Sequence, residues 1–145
     1  MAPEAMESVL AAARRSSDLV VVDLPRRTDP ASEVALTAAD VTLLVVPAEV
    51  RATAAAARVA GAIGLLTADL RVVVRGPAPA HLPAEVVAEA LGLPLAGFVR
   101  AEPGLEQALE HGQAPGRRGR GPLADFCAGF LDELVRRPGH GRPAA

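Results

Sequence analysis

Asp23 is the side chain whose setting most clearly suggests chemistry. It follows the apolar run Leu19–Val22 and precedes Leu24, Pro25 and Arg26. An apolar run closed by an aspartate is the Walker B pattern, in which a carboxylate at the end of a strand reaches Mg²⁺, usually through water, beside nucleotide phosphates. An aspartate in such a place also serves as a turn former or cap, and structural charges outnumber functional ones. Two further loops carry charged groups. Glu49 follows Pro47 and Ala48, where its charge suits a helix N-terminus, and Arg51 lies two residues on, able to face the same crevice or solvent. Arg75 opens the loop Arg75-Gly76-Pro77-Ala78-Pro79. Glycine there permits close approach and the prolines stiffen the backbone, while Arg75 could bind an anion, stack on a base or join a surface ion pair. His81 is isolated, with no second histidine or carboxylate at ligand spacing, and is given no metal role.

What the chain lacks constrains it further. All fifteen basic residues are arginine, and lysine and asparagine are absent. A mechanism that needs a lysine ammonium on a phosphate, or a lysine Schiff base, is therefore excluded for this chain alone. The single cysteine, Cys127, rules out an internal disulfide and a cysteine cluster for zinc. Between Phe126 and Phe130 it is expected to act as a small hydrophobe in a core. The formal net charge of -2 gives no global electrostatic reason for nucleic-acid binding. No stretch reaches the roughly 18 apolar residues of a membrane span. Glu4 and Glu7 stand where a signal peptide needs positive charge, so a cytoplasmic location is expected.

These side chains must be positioned by the elements around them. At 145 residues, 50% of them hydrophobic and 2% aromatic, the chain suits one domain with a core of valine, leucine and alanine. The runs Leu19–Val22, Val41–Val46, Leu70–Val74 and Leu95–Val99 read as strands, nearly continuous in apolar residues, as strands covered on both faces are. Ala31–Ala39, Glu49–Leu66 and Ala84–Leu91 read as helices between them, each connection long enough for a parallel crossover. The predicted fold class is thus α/β, with a parallel sheet of about four strands and flanking helices. A helix over Pro3–Arg15 precedes the first strand, and another over Leu105–His111 is closed by Gly112. Residues 113–121 read as a Gly/Arg linker, and 138–145 as a disordered tail. Between them, Pro122–Arg137 predicts an amphipathic helix with Leu123, Phe126, Cys127, Phe130, Leu131 and Leu134 on its stripe. The basic residues flanking that stripe, among them Arg117, Arg118, Arg136 and Arg137, also suit an interfacial membrane helix, which Asp125, Asp132 and Glu133 oppose. Docking on its own sheet is the expected role.

The order DLVVVDLPR, AADVTLLVVPAEVRA, RVVVRGPAP and AEALGLPLAGFVRAEPGLEQALEHGQAP resembles the MinD/ParA superfamily over about residues 5–136, and within it the actinobacterial CpaE-like, or septum site-determining, proteins. The resemblance implies an incomplete P-loop NTPase fold of the SIMIBI type, with residues 1–112 as a partial MinD-like domain and 122–137 belonging to it. It makes the first run Walker B, the second the lead into a turn of V-x-x-P-E type, and the third the loop on the base side. It relates Ala108 to Pro115 to a final A-x-x-x-G-x-P element, here with one more residue before the proline. Nucleotide-facing residues on this reading are Asp23 and Pro25, with Arg75 and Pro77 on the base side. Asp23 would serve Mg²⁺ through water only where nucleotide is present.

The departures from the pattern shape the functional expectation. The family's P-loop strand, deviant Walker A loop and signature lysines are expected upstream of residue 1, and Arg75 stands where the family has the asparagine that contacts adenine. No cofactor is expected for this chain alone; ATP and Mg²⁺ would require a P-loop half, in trans or in a longer protein. The expected role is non-catalytic, in septum placement or the positioning of a Tad-type pilus or secretion machine, through a protein partner or homodimer. Peripheral contact with the inner face of the membrane through 122–137 is the accompanying option. The family's P-loop strand lies between the Walker B strand and the next, so its loss would leave Leu19–Val22 and Val41–Val46 without a common neighbour. They are then expected to pair directly, to borrow a strand, or to belong to a longer product.

Overall fold

The structure, a computed structural model, describes residues 1–78, 82–117 and 119–136. Along the chain it forms α1 (Pro3–Ser16), α2 (Pro30–Ala38), β1 (Thr42–Pro47), α3 (Val50–Ile63), β2 (Leu70–Arg75), α4 (Ala84–Leu91), β3 (Leu95–Val99), α5 (Leu105–Glu110) and α6 (Pro122–Arg136). His81, Arg118, Arg137 and the predicted tail lie outside the described residues.

Local sequence accounts for the helix ends. Pro3 and Pro30 occupy the first turns of α1 and α2, where no intrahelical N–H is needed. Asp29 caps α2, its carboxylate accepting from the Ser32 N–H and the Ser32 hydroxyl, both at 2.7 Å. Glu4 in the first turn of α1 and Arg14 and Arg15 in its last complement the helix dipole. Arg14 also reaches across to donate to the Ala38 carbonyl at the end of α2, tying the two helices together. Glu49 is the N-cap residue of α3, which ends at Ile63, short of the predicted Leu66, because the chain turns at Gly64–Leu66.

The sheet is parallel with order β1-β2-β3. Thr42 lies opposite Leu70 and Pro47 opposite Arg75; Val72 lies opposite Leu95 and Val73 opposite Gly97, with an irregularity between Val72 and Val73. The central strand is covered on both faces. On one, Val72 and Val74 are fully buried with Val46, Ala56, Val87 and Ala88, the last three coming from α3 and α4. On the other, α6 lies against β3. There Gly97 permits the close approach: a Cβ at this position would sit 2.9 Å from the Phe126 ring. Phe126 stacks on Phe130 at a centroid separation of 5.8 Å, and the Arg71 guanidinium lies over the Phe130 ring.

Two expectations are corrected. Leu19–Val22 is not a strand of the sheet, which among the described residues has three. A strand exists only through a neighbour that accepts its N–H and C=O groups, and the sheet ends at β1 without reaching this run. Direct pairing of Leu19–Val22 with β1 is therefore not the solution adopted. Cys127 is exposed rather than in a core. One residue along a helix is a rotation of about 100°, enough to turn Cys127 off the face through which Phe126 meets β3.

Candidate functional site

In open parallel sheets ligands bind beyond the carboxyl ends of the strands, here the ends of β1, β2 and β3. The backbone knits these ends together beyond the strands themselves. Ala48 N–H donates to the Arg75 carbonyl at 3.0 Å, and Gly76 N–H donates to the Val99 carbonyl at 2.8 Å. Gly76 is buried, and a Cβ there would stand 3.3 Å from Ala101 N and 3.4 Å from the Phe98 ring. A Cβ there would push its neighbours back by a few tenths of an ångström, so glycine favours this contact, which holds the start of the Arg75–Pro77 loop on the end of β3. The Gly76–Pro77 peptide is cis.

Arg75 leaves the buried strand at its last residue and is exposed, its guanidinium 3.5 Å from the Gly76 carbonyl, at the outer limit of a hydrogen bond. Among the described residues no carboxylate pairs with it. Pro77 is exposed beside it. Asp23 and Pro25 are also exposed, and Asp23 makes no hydrogen bond or ion pair with Arg75 or with any other described residue. Of the residues singled out from the sequence, the fold thus brings Arg75 and Pro77 to the carboxyl end of the sheet, on a loop tied to β3. Asp23 follows the unpaired Leu19–Val22 run. Among the described residues no three His, Cys, Asp or Glu side chains gather as a metal site. One carboxylate, in a chain without lysine, is not a donor set that fits Mg²⁺-nucleotide by itself.

Beyond β3, a shallow cleft of about 660 Å³ opens between α5, the loop that follows it and the start of α6. Ala108, His111, Pro115, Arg117 and Arg120 contribute to its walls. Its one described carboxylate, on Glu102, is engaged: Oε2 accepts from the Leu123 N–H at 3.2 Å, capping the first turn of α6. His111 is held to the Gln107 carbonyl at 2.7 Å. The cleft brings together no nucleophile and base.

The strongest polar constellation in the molecule escaped the sequence reading. Arg71, with 6% of its surface exposed, sits between Leu70 and Val72 in β2. Its guanidinium donates through Nε and Nη2 to both oxygens of Asp69, at 2.9 and 2.8 Å, and through Nη1 to Glu133 Oε1 at 2.7 Å. The bidentate Asp69 carboxylate, against the opposing cost of burial and with help from Glu133, pushes the Arg71 guanidinium further up from its already high value. This is a clamp between sheet and α6 rather than a reactive site. A cation inside the run Leu70–Val74, two residues after an aspartate, was the available signal.

No protein-family model matches the chain. It is 44% identical over 141 residues to the uncharacterized proteins MT3760 (strain CDC 1551) and Rv3660c (strain H37Rv) of Mycobacterium tuberculosis, covering 96% of this chain and 40% of each relative. The chain therefore spans about two fifths of the length of the curated relatives it matches. Among solved structures it is similar to the MinC:MinD cell division protein complex of Aquifex aeolicus, with a TM-score of 0.60 and 22% identity over 78% of this chain and 48% of that one. It is also similar to the MinD cell division protein of Aquifex aeolicus, with a TM-score of 0.78 and 21% identity over 95% of this chain and 62% of that one. The parallel sheet and its flanking helices thus have the fold of part of MinD.

Proposed function

We propose that this chain is a non-catalytic, MinD-like module that works through protein–protein contacts. Its class would be the CpaE-like proteins, which place a division septum or position a Tad-type pilus or secretion machine. The observation that carries this reading is the state of Asp23: a Walker B-like carboxylate, exposed and unengaged among the described residues, in a chain with no lysine to meet a phosphate. The MinD-like fold supports a role related to cell division, and the similarity to a MinC:MinD complex supports a protein partner. Among the described residues no helix is long and apolar enough to cross a membrane. The Phe126 and Phe130 side of α6 is engaged with Gly97 and Arg71, which favours docking over membrane contact for that stripe. The test is ATP turnover by the purified chain with Mg²⁺. Background rates are expected, unchanged by Asp23→Ala. Turnover above background that Asp23→Ala removes would overturn the proposal.

A second reading is favoured by one observation, the 40% of the relatives' length that the chain spans. On this reading a P-loop half, carried by a longer protein or a separate polypeptide, supplies the phosphate cradle. Asp23 then serves Mg²⁺ through water, with Pro25, Arg75 and Pro77 lining the nucleotide crevice. Hydrolysis that appears only when such a half is added, and that Asp23→Ala abolishes, would establish it.

A further inference from the structure

The segment 113–121, which reads as a linker in the sequence, is folded back on α5 and supplies a wall of the cleft beyond β3. Gly112 N–H donates to the Leu109 carbonyl at 2.9 Å and Gln113 N–H to that of Ala108 at 2.8 Å, so the chain reverses at the end of α5. Its return brings Arg117 and Arg120 to the cleft. The end of α5 sorts its side chains by face. Gln107, Ala108 and His111, at helical spacing, line the cleft, while Glu106 and Glu110 do not. Glu102, the described carboxylate of the lining, is drawn off to the Leu123 N–H. Gly121 makes room for it: a Cβ there would collide with that carboxylate. Among the described residues neither Arg117 nor Arg120 meets a carboxylate. Although the formal net charge is -2, the cleft thus holds two arginines whose counter-charge the described fold does not supply. Leu105, Pro115 and Pro122 give the same cleft apolar surface.

We propose that this cleft is a docking site for an acidic peptide segment of a partner protein, one that sets carboxylates beside an apolar side chain. Guanidinium groups pair with carboxylates through charge-assisted, often bidentate, hydrogen bonds. Arginines grouped beside apolar walls are a recurring way for folded domains to take up acidic motifs. A volume of about 660 Å³ suits a few side chains rather than a folded surface. Nucleotides and nucleic acids fit less well, since none of the three phenylalanines lines the cleft to stack a base. A lipid surface fits less well too, since it is met by a protruding apolar face and these arginines line a concavity. The inference deepens the protein–protein role proposed above and rests on it, while requiring neither nucleotide nor a P-loop half.

The test is binding of a fluorescein-labelled acidic peptide, Glu-Leu-Glu-Glu-Leu-Glu, to the purified full chain, followed by fluorescence anisotropy and by NMR shifts of the backbone amides. Binding that moves the amides of His111, Arg117 and Arg120 and weakens with added salt is expected. The double variant Arg117→Glu/Arg120→Glu should bind about tenfold more weakly. Arg58→Glu, on the exposed side of α3, should bind as the parent does. The same peptide with lysine in place of glutamate should not bind. Circular dichroism of each variant confirms that it is folded. Absence of binding, amide shifts that lie away from the cleft, or a folded double variant that binds like the parent would overturn the inference. So would tighter binding of inorganic pyrophosphate, or pelleting with phosphatidylglycerol vesicles that the double variant loses, which would make the occupant a phosphate or a lipid headgroup. A chain that binds the peptide and hydrolyses ATP would overturn the non-catalytic reading and leave the cleft standing; an inactive chain that ignores the peptide would do the reverse.

Discussion

The tripeptide Val-Val-Val occurs twice in this chain, at 20–22 and at 72–74, with opposite fates. In β2 it is flanked by parallel neighbours on both sides and by helices on both faces, and its three side chains are essentially inaccessible. In the run before Asp23 it has no ladder, and Val21 is among the most exposed large apolar residues of the molecule. Local composition is the same, so propensity cannot explain the difference. Strand identity here belongs to the neighbours: a β-strand is stabilised by packing against adjacent strands and covering helices, and only weakly by its own preferences.

The largest expected effect follows directly from that contrast. Val74→Ala should lower stability by about 2–3 kcal/mol, the lost transfer energy plus a cavity, whereas Val21→Ala should stay within about 0.5 kcal/mol, as for a surface site. Urea unfolding of both variants measures the pair. Equal costs would mean that the 20–22 run is packed in solution. Next comes Arg71→Met, which leaves Asp69 and Glu133 without their shared cation and frees α6 from the sheet face. A loss of about 2 kcal/mol is expected, below that for breaking a fully buried pair because Glu133 is half exposed. Exchange should quicken in α6 before β2. An unchanged α6 would show that Phe126 on Gly97 suffices to hold it.

The smallest effect concerns α2. The Ser32 hydroxyl and N–H hold the Asp29 carboxyl below its ordinary value of 3.8. A depressed carboxyl stabilises the fold above that ordinary value, and the contribution fades as pH falls through the lower folded value. Asp29→Ala should thus lower the melting temperature slightly at neutral pH, and the gap to the parent should close in acid, below 3.8. A gap that persists there would assign the loss to something other than the charged cap.

Much of the architecture was legible in the sequence. The runs at Val41–Val46, Leu70–Val74 and Leu95–Val99 became β1, β2 and β3 to within a residue or two, because strands buried on at least one face leave long apolar stretches between turn residues. The helices were readable from their length, their caps and, in α6, the stripe of Leu123, Phe126 and Phe130. The candidate site was legible only in part. The loop Arg75-Gly76-Pro77 announces a tight approach, and the Gly76–Val99 hydrogen bond is that approach. Asp23 gave a motif without a setting. Arg71 passed unnoticed because its two carboxylates lie 2 and 62 residues away, and the farther one is invisible to any local pattern.

The sequence by itself determined the element types, the α/β class and the absence of a lysine-based phosphate site, since these depend on periodicity, composition and turn chemistry along the chain. Tertiary structure alone decided which valine triplet is a strand, where Cys127 points, and that Arg71 holds α6 to the sheet. Each of these is a property of what lies alongside a residue in space. Burial and pairing are set by neighbours distant in sequence, and no local stretch of chain encodes its neighbours.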